Sequence, residues 1–371
     1  MHRRTALRTG AALFCGTTLA GCLDTLGSES AWRDLVIDRP DEIYVPPKAD
    51  GMVVWANETN GESEEGGREY ALALSATRPH RFWTVTGRET NQISMRDAHS
   101  AHLMVSVWEP ESGRLLPAEV RISIERSGES VLDRTLWPML SQRMGFHYGD
   151  NVALPDAGEY RASVRVLPLG IAYRGGFEGG FEPASFDLGF EYDPDGIEAL
   201  DLTVHEESRR GRSGAVEPME GDHGHGHEDG DGNDHEDHDG PSHPPVPIAP
   251  PAEAFPTVVG EEQAGDYRLV VATADHEEGT YLIASPRTPY NGFPLPFCSL
   301  SAEVDRGSSG AESVSLAEAT DPEFGHHYGA VVESFSGAEL TVGVESPPQI
   351  TRHEGYETAF FDLPELSLRA P

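Results

Sequence analysis

Lysine is almost absent from this chain: Lys48 is the single example among 371 residues, and 27 basic side chains face 63 carboxylates for a net charge of −36. Phosphate backbones are held by Lys and Arg, so this shortage excludes nucleic acid as a partner. It also disfavours adsorption on anionic lipid. Self-repulsion at this charge loosens a fold in dilute salt. Molar salt, with a Debye length of about 3 Å, removes most of that repulsion. Most carboxylates therefore read as adaptation to concentrated salt rather than as a site.

Cysteine is scarce too. Cys15 lies in an expected leader and Cys22 at its end, which leaves Cys298 alone and no disulfide framework within the mature chain. Cys298 reads as a small buried residue. A blue-copper site needs Cys beside its His and Met ligands, and Cys298 has no closely following His, which excludes that class. Also missing are a Gly-rich phosphate loop, a nucleophile elbow and a zinc-protease helix motif. No carboxylate pair stands out as an acid and base. The expectation is a binding protein, not an enzyme. No stretch is long and apolar enough to span a bilayer as a helix.

What is present begins with a targeting pattern. Arg3, Arg4 and Arg8 precede an apolar run from Ala11 to Ala20, and Leu19-Ala20-Gly21-Cys22 forms a lipobox-like ending. The expected reading is a signal peptide over 1–21, exported by the twin-arginine route, with lipidation at Cys22. Residues 22–30 would be a tether, and the protein would sit outside the cell membrane, held by its lipid.

Beyond the tether the chain reads as all-β. Leu103, Val105 and Val107 alternate with His102, Met104 and Ser106; Val120, Ile122 and Ile124 alternate with polar residues, as do Ala162, Val164 and Val166. This period of two gives each strand one face for a core. Gly- and Pro-rich turns separate the strands as in a sandwich. The expected organisation is two β-sandwich domains, 31–205 and 255–371, joined by a disordered His/Asp-rich linker over 206–254 that has too few bulky apolar residues to offset its ordering entropy.

The two domains look like copies. His147-Tyr148-Gly149 is matched by His327-Tyr328-Gly329, Phe186-Asp187-Leu188 by Phe361-Asp362-Leu363, and Leu116-Pro117 by Leu295-Pro296. Ala76-Thr77 and His80 echo Ala272-Thr273 and His276, and Phe177-Glu178-Gly179 echoes His353-Glu354-Gly355. Several matches in one order indicate an internal duplication.

The strongest local motif is Trp137-Pro138-Met139 followed by Phe146-His147-Tyr148-Gly149-Asp150-Asn151. It resembles the periplasmic iron-transport proteins, copper- and iron-binding partners of high-affinity iron permeases, and most closely a haloarchaeal branch of them. The similarity covers roughly Asp41 to Tyr192 and, more weakly, the second unit. The resemblance implies immunoglobulin-like sandwiches, a homodimer, a membrane metal transporter as partner, and a metal held by His and Met. Carried over residue by residue, His102, Met139 and His147 match three ligands. The chain departs from the pattern at Met104, where the family has an acidic residue, and at Arg174-Gly175-Gly176-Phe177, where it has a final histidine. In the second unit His327 and His353 match ligand positions, Ala319 replaces the methionine, and Tyr281 stands near the first histidine. Each unit then has a partial site, or a composite site forms between units or subunits. Independently of any family, thioether plus imidazole selects Cu or another late metal, while a carboxylate would admit Fe or Mn. The expected cofactor is a transition metal, iron or copper, with zinc or manganese as alternatives. Met139 in a core and His147 in a turn would be the purely structural alternative, and His80 and His276 read as structural.

The linker offers a second, low-specificity metal tract: His223, His225, His227, His235, His238 and His243, interleaved with carboxylates. Flexible imidazoles at this spacing can wrap Zn, Ni, Cu or Fe. The competing reading is a solvated spacer within an envelope interaction module that has no specific metal site.

Overall fold

The computed structural model describes residues 40–59, 62–63, 68–219, 243–333 and 337–370. Residues 39–371 cluster as one compact unit. The expected leader, Cys22 and the histidines at 223, 225, 227, 235 and 238 lie outside the described residues.

The fold is all-β. Among the described residues, helix is limited to single turns and the short segment Pro194–Ala199, started by Asp193, whose side chain accepts from the amide of Asp195. In the first half, one sheet contains Ala118–Arg126, Gly158–Pro168 and Ala184–Tyr192. Their inward residues alternate with exposed ones along the whole length, as in the buried–exposed repeat of Ala184–Tyr192. Facing them is a sheet that runs Val53–Thr59, Ala71–Thr77, Ala101–Trp108, Gly145–Val152, Trp137–Ser141. The two inner faces form the core, where Leu72, Leu74, Leu103, Val105 and Tyr148 meet Val120, Ile122, Val164 and Phe186.

Ala101–Trp108 departs from the expected one-sided burial. His102 and Met104, on its far face, are buried as completely as Leu103 and Val105. That face is covered by side chains from His80 and His353, whose rings lie 4.1 and 5.4 Å from the ring of His102.

Among the described residues, five strands of the second half repeat the order of five in the first, without a counterpart to the hairpin Phe82–Thr86 and Glu89–Ile93. Thr257–Ala264, Tyr267–His276, Gly279–Arg287, Gly325–Val332 and Ala311–Asp321 follow one another in the order of their first-half counterparts. Even a bulge in the first strand recurs, at Val54/Ala56 and at Val258/Gly260. The hydroxyl of Tyr148 accepts from the amide of Ala118, and that of Tyr328 from the amide of Cys298. Register adjusts two of the sequence matches. Thr77 lies opposite His102 and Ala274 opposite Tyr281, so Ala76-Thr77 corresponds to Thr273-Ala274. The amide of Phe177 bonds to the carbonyl of Arg174, as that of Tyr356 does to His353, so Phe177 corresponds to Tyr356 and Arg174 to His353.

Each half lends the other a two-residue strand. Thr351–Arg352 runs parallel to the Met139 strand, with Thr351 beside Met139. Ala172–Tyr173 runs parallel to the Ala319 strand, with Ala172 beside Ala319. The stretches flanking the histidine tract also pack on this body. The amide of Val216 bonds to the side chain of Gln142 and that of Met219 to the carbonyl of Arg143. Val246 and Ala249 are buried. Val216, Val246 and Ala249 give these flanks something to bury.

Candidate metal centre

Met139 and His147 sit directly opposite each other on the antiparallel pair Trp137–Ser141 and Gly145–Val152. The turn between them puts Gly145 at φ 69°, a conformation open to glycine at no steric cost. On the neighbouring strand, His102 lies opposite Asn151. Strand alternation aims Met139, His147 and His102 at the same side of the sheet, away from the core. Between them is Gly149. A methyl group there would come within 3.0 Å of His102 Nε2, 3.1 Å of Met139 Sδ and 2.8 Å of the Leu103 carbonyl. The glycine of the His-Tyr-Gly motif is therefore the gap into which ligand atoms reach.

The strand lent by the second half brings His353 to this gap, its amide bonded to the carbonyl of Leu140. The ring of His353 lies 5.1 Å from that of His147. His80, reached through the turn after Ala71–Thr77, places Nε2 2.9 Å from His353 Nδ1. One ring nitrogen from each of His80, His102 and His353 falls within 4.8 Å of the others. Three imidazoles and one thioether converge on the gap, and behind them His80 Nε2 accepts from Nδ1–H of His353.

Their second nitrogens are tied down. Nδ1–H of His147 donates to the Gly145 carbonyl at 3.1 Å, and Nδ1–H of His80 to the Arg78 carbonyl at 2.9 Å. Asn151 Nδ2 donates to the His80 carbonyl, which turns Oδ1 toward His102 Nδ1, 3.0 Å away. Each of these imidazoles thus carries its proton on Nδ1 and a lone pair on Nε2. Outer hydrogen bonds of this type fix ring orientation and tautomer in metal-binding histidines. Nε2 of His102, His147 and His353 is buried with no hydrogen-bond partner. A buried orphan costs about 1–3 kcal/mol. Three of them around one gap fit a cation that takes up their lone pairs.

Burial lowers the pKa of all four histidines, His147 to about 4 and His102 and His353 well below the ordinary value. The set is neutral at pH 7, as metal ligation requires. Among the described residues no carboxylate belongs to it: Glu354 is paired with Arg81, and Asp50 with Arg78 and Lys48. His102, His147, Met139 and His353 are 9% exposed or less, while His80 is half-buried, so the open side of the pocket is the His80 side.

Of the sequence-derived positions, His102, Met139, His147 and His353 come together, and His353 does so in the pocket of the other half. His80, read from sequence as structural, is part of the cluster. Its signal was its position just past a strand that neighbours His102, a relation that needs the sheet order. His327 stays apart, with Nδ1–H bonded to the Gly325 carbonyl and Nε2 accepting from the hydroxyl of Tyr281 at 3.0 Å. With both nitrogens engaged, it presents no free lone pair. His276 borders a separate cleft, and His243 is exposed on the flank of the linker tract.

Residues 252–369 match a family described as a domain of unknown function (DUF7350). No curated protein matches the chain. Among solved structures, FetP from uropathogenic Escherichia coli aligns at 19% identity over 37% of this chain and 96% of its own, with a TM-score of 0.26. Copper-reconstituted P19 from Campylobacter jejuni aligns at 17% identity over 37% of this chain and 96% of its own, with a TM-score of 0.25.

Proposed function

We propose that this chain binds one late transition-metal ion, copper in preference to iron, in the pocket formed by His80, His102, Met139, His147 and His353. The observation that carries the reading is the convergence of three unpartnered, buried imidazole nitrogens on the gap beside Gly149, next to the Met139 sulfur. Imidazole and thioether are borderline and soft donors, and a set without carboxylate is a poor match for hard ferric or manganous ions. Its neutrality also favours a cation of low charge, because nothing in the set offsets a second or third buried positive charge. Cu(I) satisfies both conditions.

The surrounding charge serves the same end. A strongly acidic surface raises the local concentration of cations. With the expected leader and lipid, the protein would work outside the cell membrane, collecting metal and supplying a membrane metal transporter. The histidine tract would add loosely held metal nearby.

Metal analysis of the protein purified in molar salt tests the reading. The wild type should carry one more copper per chain than Met139→Ala/His147→Ala or His353→Ala. Manganese and iron should not replace it at equal concentration. Equal copper in wild type and variants would leave only a double β-sandwich of the envelope with a histidine-rich spacer.

A further inference from the structure

The second half preserves the scaffold of the metal pocket but fills it differently. Ala319 lies opposite His327 as Met139 lies opposite His147. Tyr281 occupies the strand position of His102, opposite Val331 where the first half has Asn151. Arg174 follows the lent strand Ala172–Tyr173 as His353 follows Thr351–Arg352, and the amides of both bond to the corresponding carbonyls, Thr320 and Leu140. The gap beside the motif glycine is occupied as well. A methyl group on Gly329 would collide with the hydroxyl of Tyr281, just as one on Gly149 would meet His102 Nε2 and Met139 Sδ. That hydroxyl bonds His327 Nε2, the nitrogen whose counterpart in His147 has no partner. The Arg174 guanidinium stacks 3.8 Å over the Tyr281 ring.

We infer that the second half carries a counterpart of the metal pocket that Tyr281 has closed, making the chain a fused pair with one working site and one metal-free latch. The phenol supplies the hydrogen bond that a metal would otherwise supply as a bond to His327. The stacked guanidinium holds the lent strand through a cation–π contact and places a positive charge where a cation would have to enter. A cleft of about 300 Å³, bordered by Arg174, Tyr281, His276 and Asp321, still leads to the closed position from outside. The donors, more than the route, are what the second site lacks. Three changes, Tyr281→His, Ala319→Met and Arg174→His, would restore a set of three imidazoles and a thioether around Gly329.

This inference rests on the metal reading of the first pocket, and the test separates the two. Full-length chains are loaded with Cu(I) in molar salt and compared by metal content per chain, so that the histidine tract cancels in the differences. Near-ultraviolet circular dichroism reports folding. His147→Ala should lose one copper, and His327→Ala should lose none. The triple variant should gain one, and adding His327→Ala to it should remove that gain. A folded triple variant with no gain overturns the inference while leaving the first site intact. If the triple variant does not fold, the single variants decide: loss of one copper on His327→Ala overturns the closed pocket, and unchanged content upholds it. Equal copper in wild type and His147→Ala defeats both readings together.

Discussion

The amide of Asn151 grips His102 from behind: its oxygen lies 3.0 Å from Nδ1 of the imidazole, while its nitrogen donates to the backbone carbonyl of His80 at 2.7 Å. One uncharged side chain thus sets the tautomer of one donor and the position of the loop that carries another.

Replacing Asn151 with Leu should therefore weaken metal binding without removing a ligand. Loss of an outer hydrogen bond to a metal-binding histidine costs about 10–100-fold in affinity. Competition with a chromophoric Cu(I) chelator would measure it. Affinity within a factor of two of wild type would mean that packing alone positions His102.

Gly149 makes a harsher demand. The methyl group of Gly149→Ala would lie 2.8 Å from a backbone oxygen as well as against two donor atoms, and the backbone cannot retreat within a sheet paired on both sides. Overpacking of this kind costs about 1–3 kcal/mol. The expected result is a fall in the denaturation midpoint together with loss of the bound copper. Gly189, with nothing near a built methyl group, provides a control substitution in the first half that should do neither.

The fold was largely legible in the sequence because period-two alternation and turn residues act locally. Ala118–Arg126 and Ala184–Tyr192 have the one-sided burial that such alternation dictates. The far face of Ala101–Trp108 was not legible, because its cover comes from His80 and His353, the latter 251 positions away, just past a strand of two residues. Met139 and His147 could be named because a short connection joins them within one motif, and His102 because the family resemblance placed a first histidine there. His80 could not, since a histidine after a strand has no local pattern that separates a ligand from a hydrogen-bonded core residue. His327 shows the same limit: its own motif matches that of His147, and the hydroxyl that engages its Nε2 comes from a tyrosine on the next strand.

Cys298 should be a poor nucleophile in the folded protein. Burial pushes its thiol up to about 12, so the thiolate is scarce at pH 8. In the mature chain, reaction with a disulfide reagent should be slow in molar salt and rapid once denaturant is added. Fast labelling of the native protein would show that the neighbourhood of Leu295 and Tyr328 opens readily.

Acid should destabilise the protein through His327 even when no metal is bound. Burial lowers its pKa to about 4, below the unfolded value near 6.5. As pH falls, the unfolded chain takes up this proton first, so the stabilising contribution is complete above about 6.5 and declines down to about 4. The full difference is about 3 kcal/mol, of which about 2 kcal/mol is lost by pH 5. Urea titrations of the metal-free protein at pH 7 and pH 5, in high salt, should therefore show a smaller drop for His327→Gln than for wild type, by about that 2 kcal/mol. The latch makes this sign specific. Tyr281 donates to the neutral ring, and protonation of Nε2 would force the phenol to accept instead and turn its own proton away into a buried space. An equal drop in both proteins would mean that His327 is reached by water before the fold gives way, and that the phenol does not seal it.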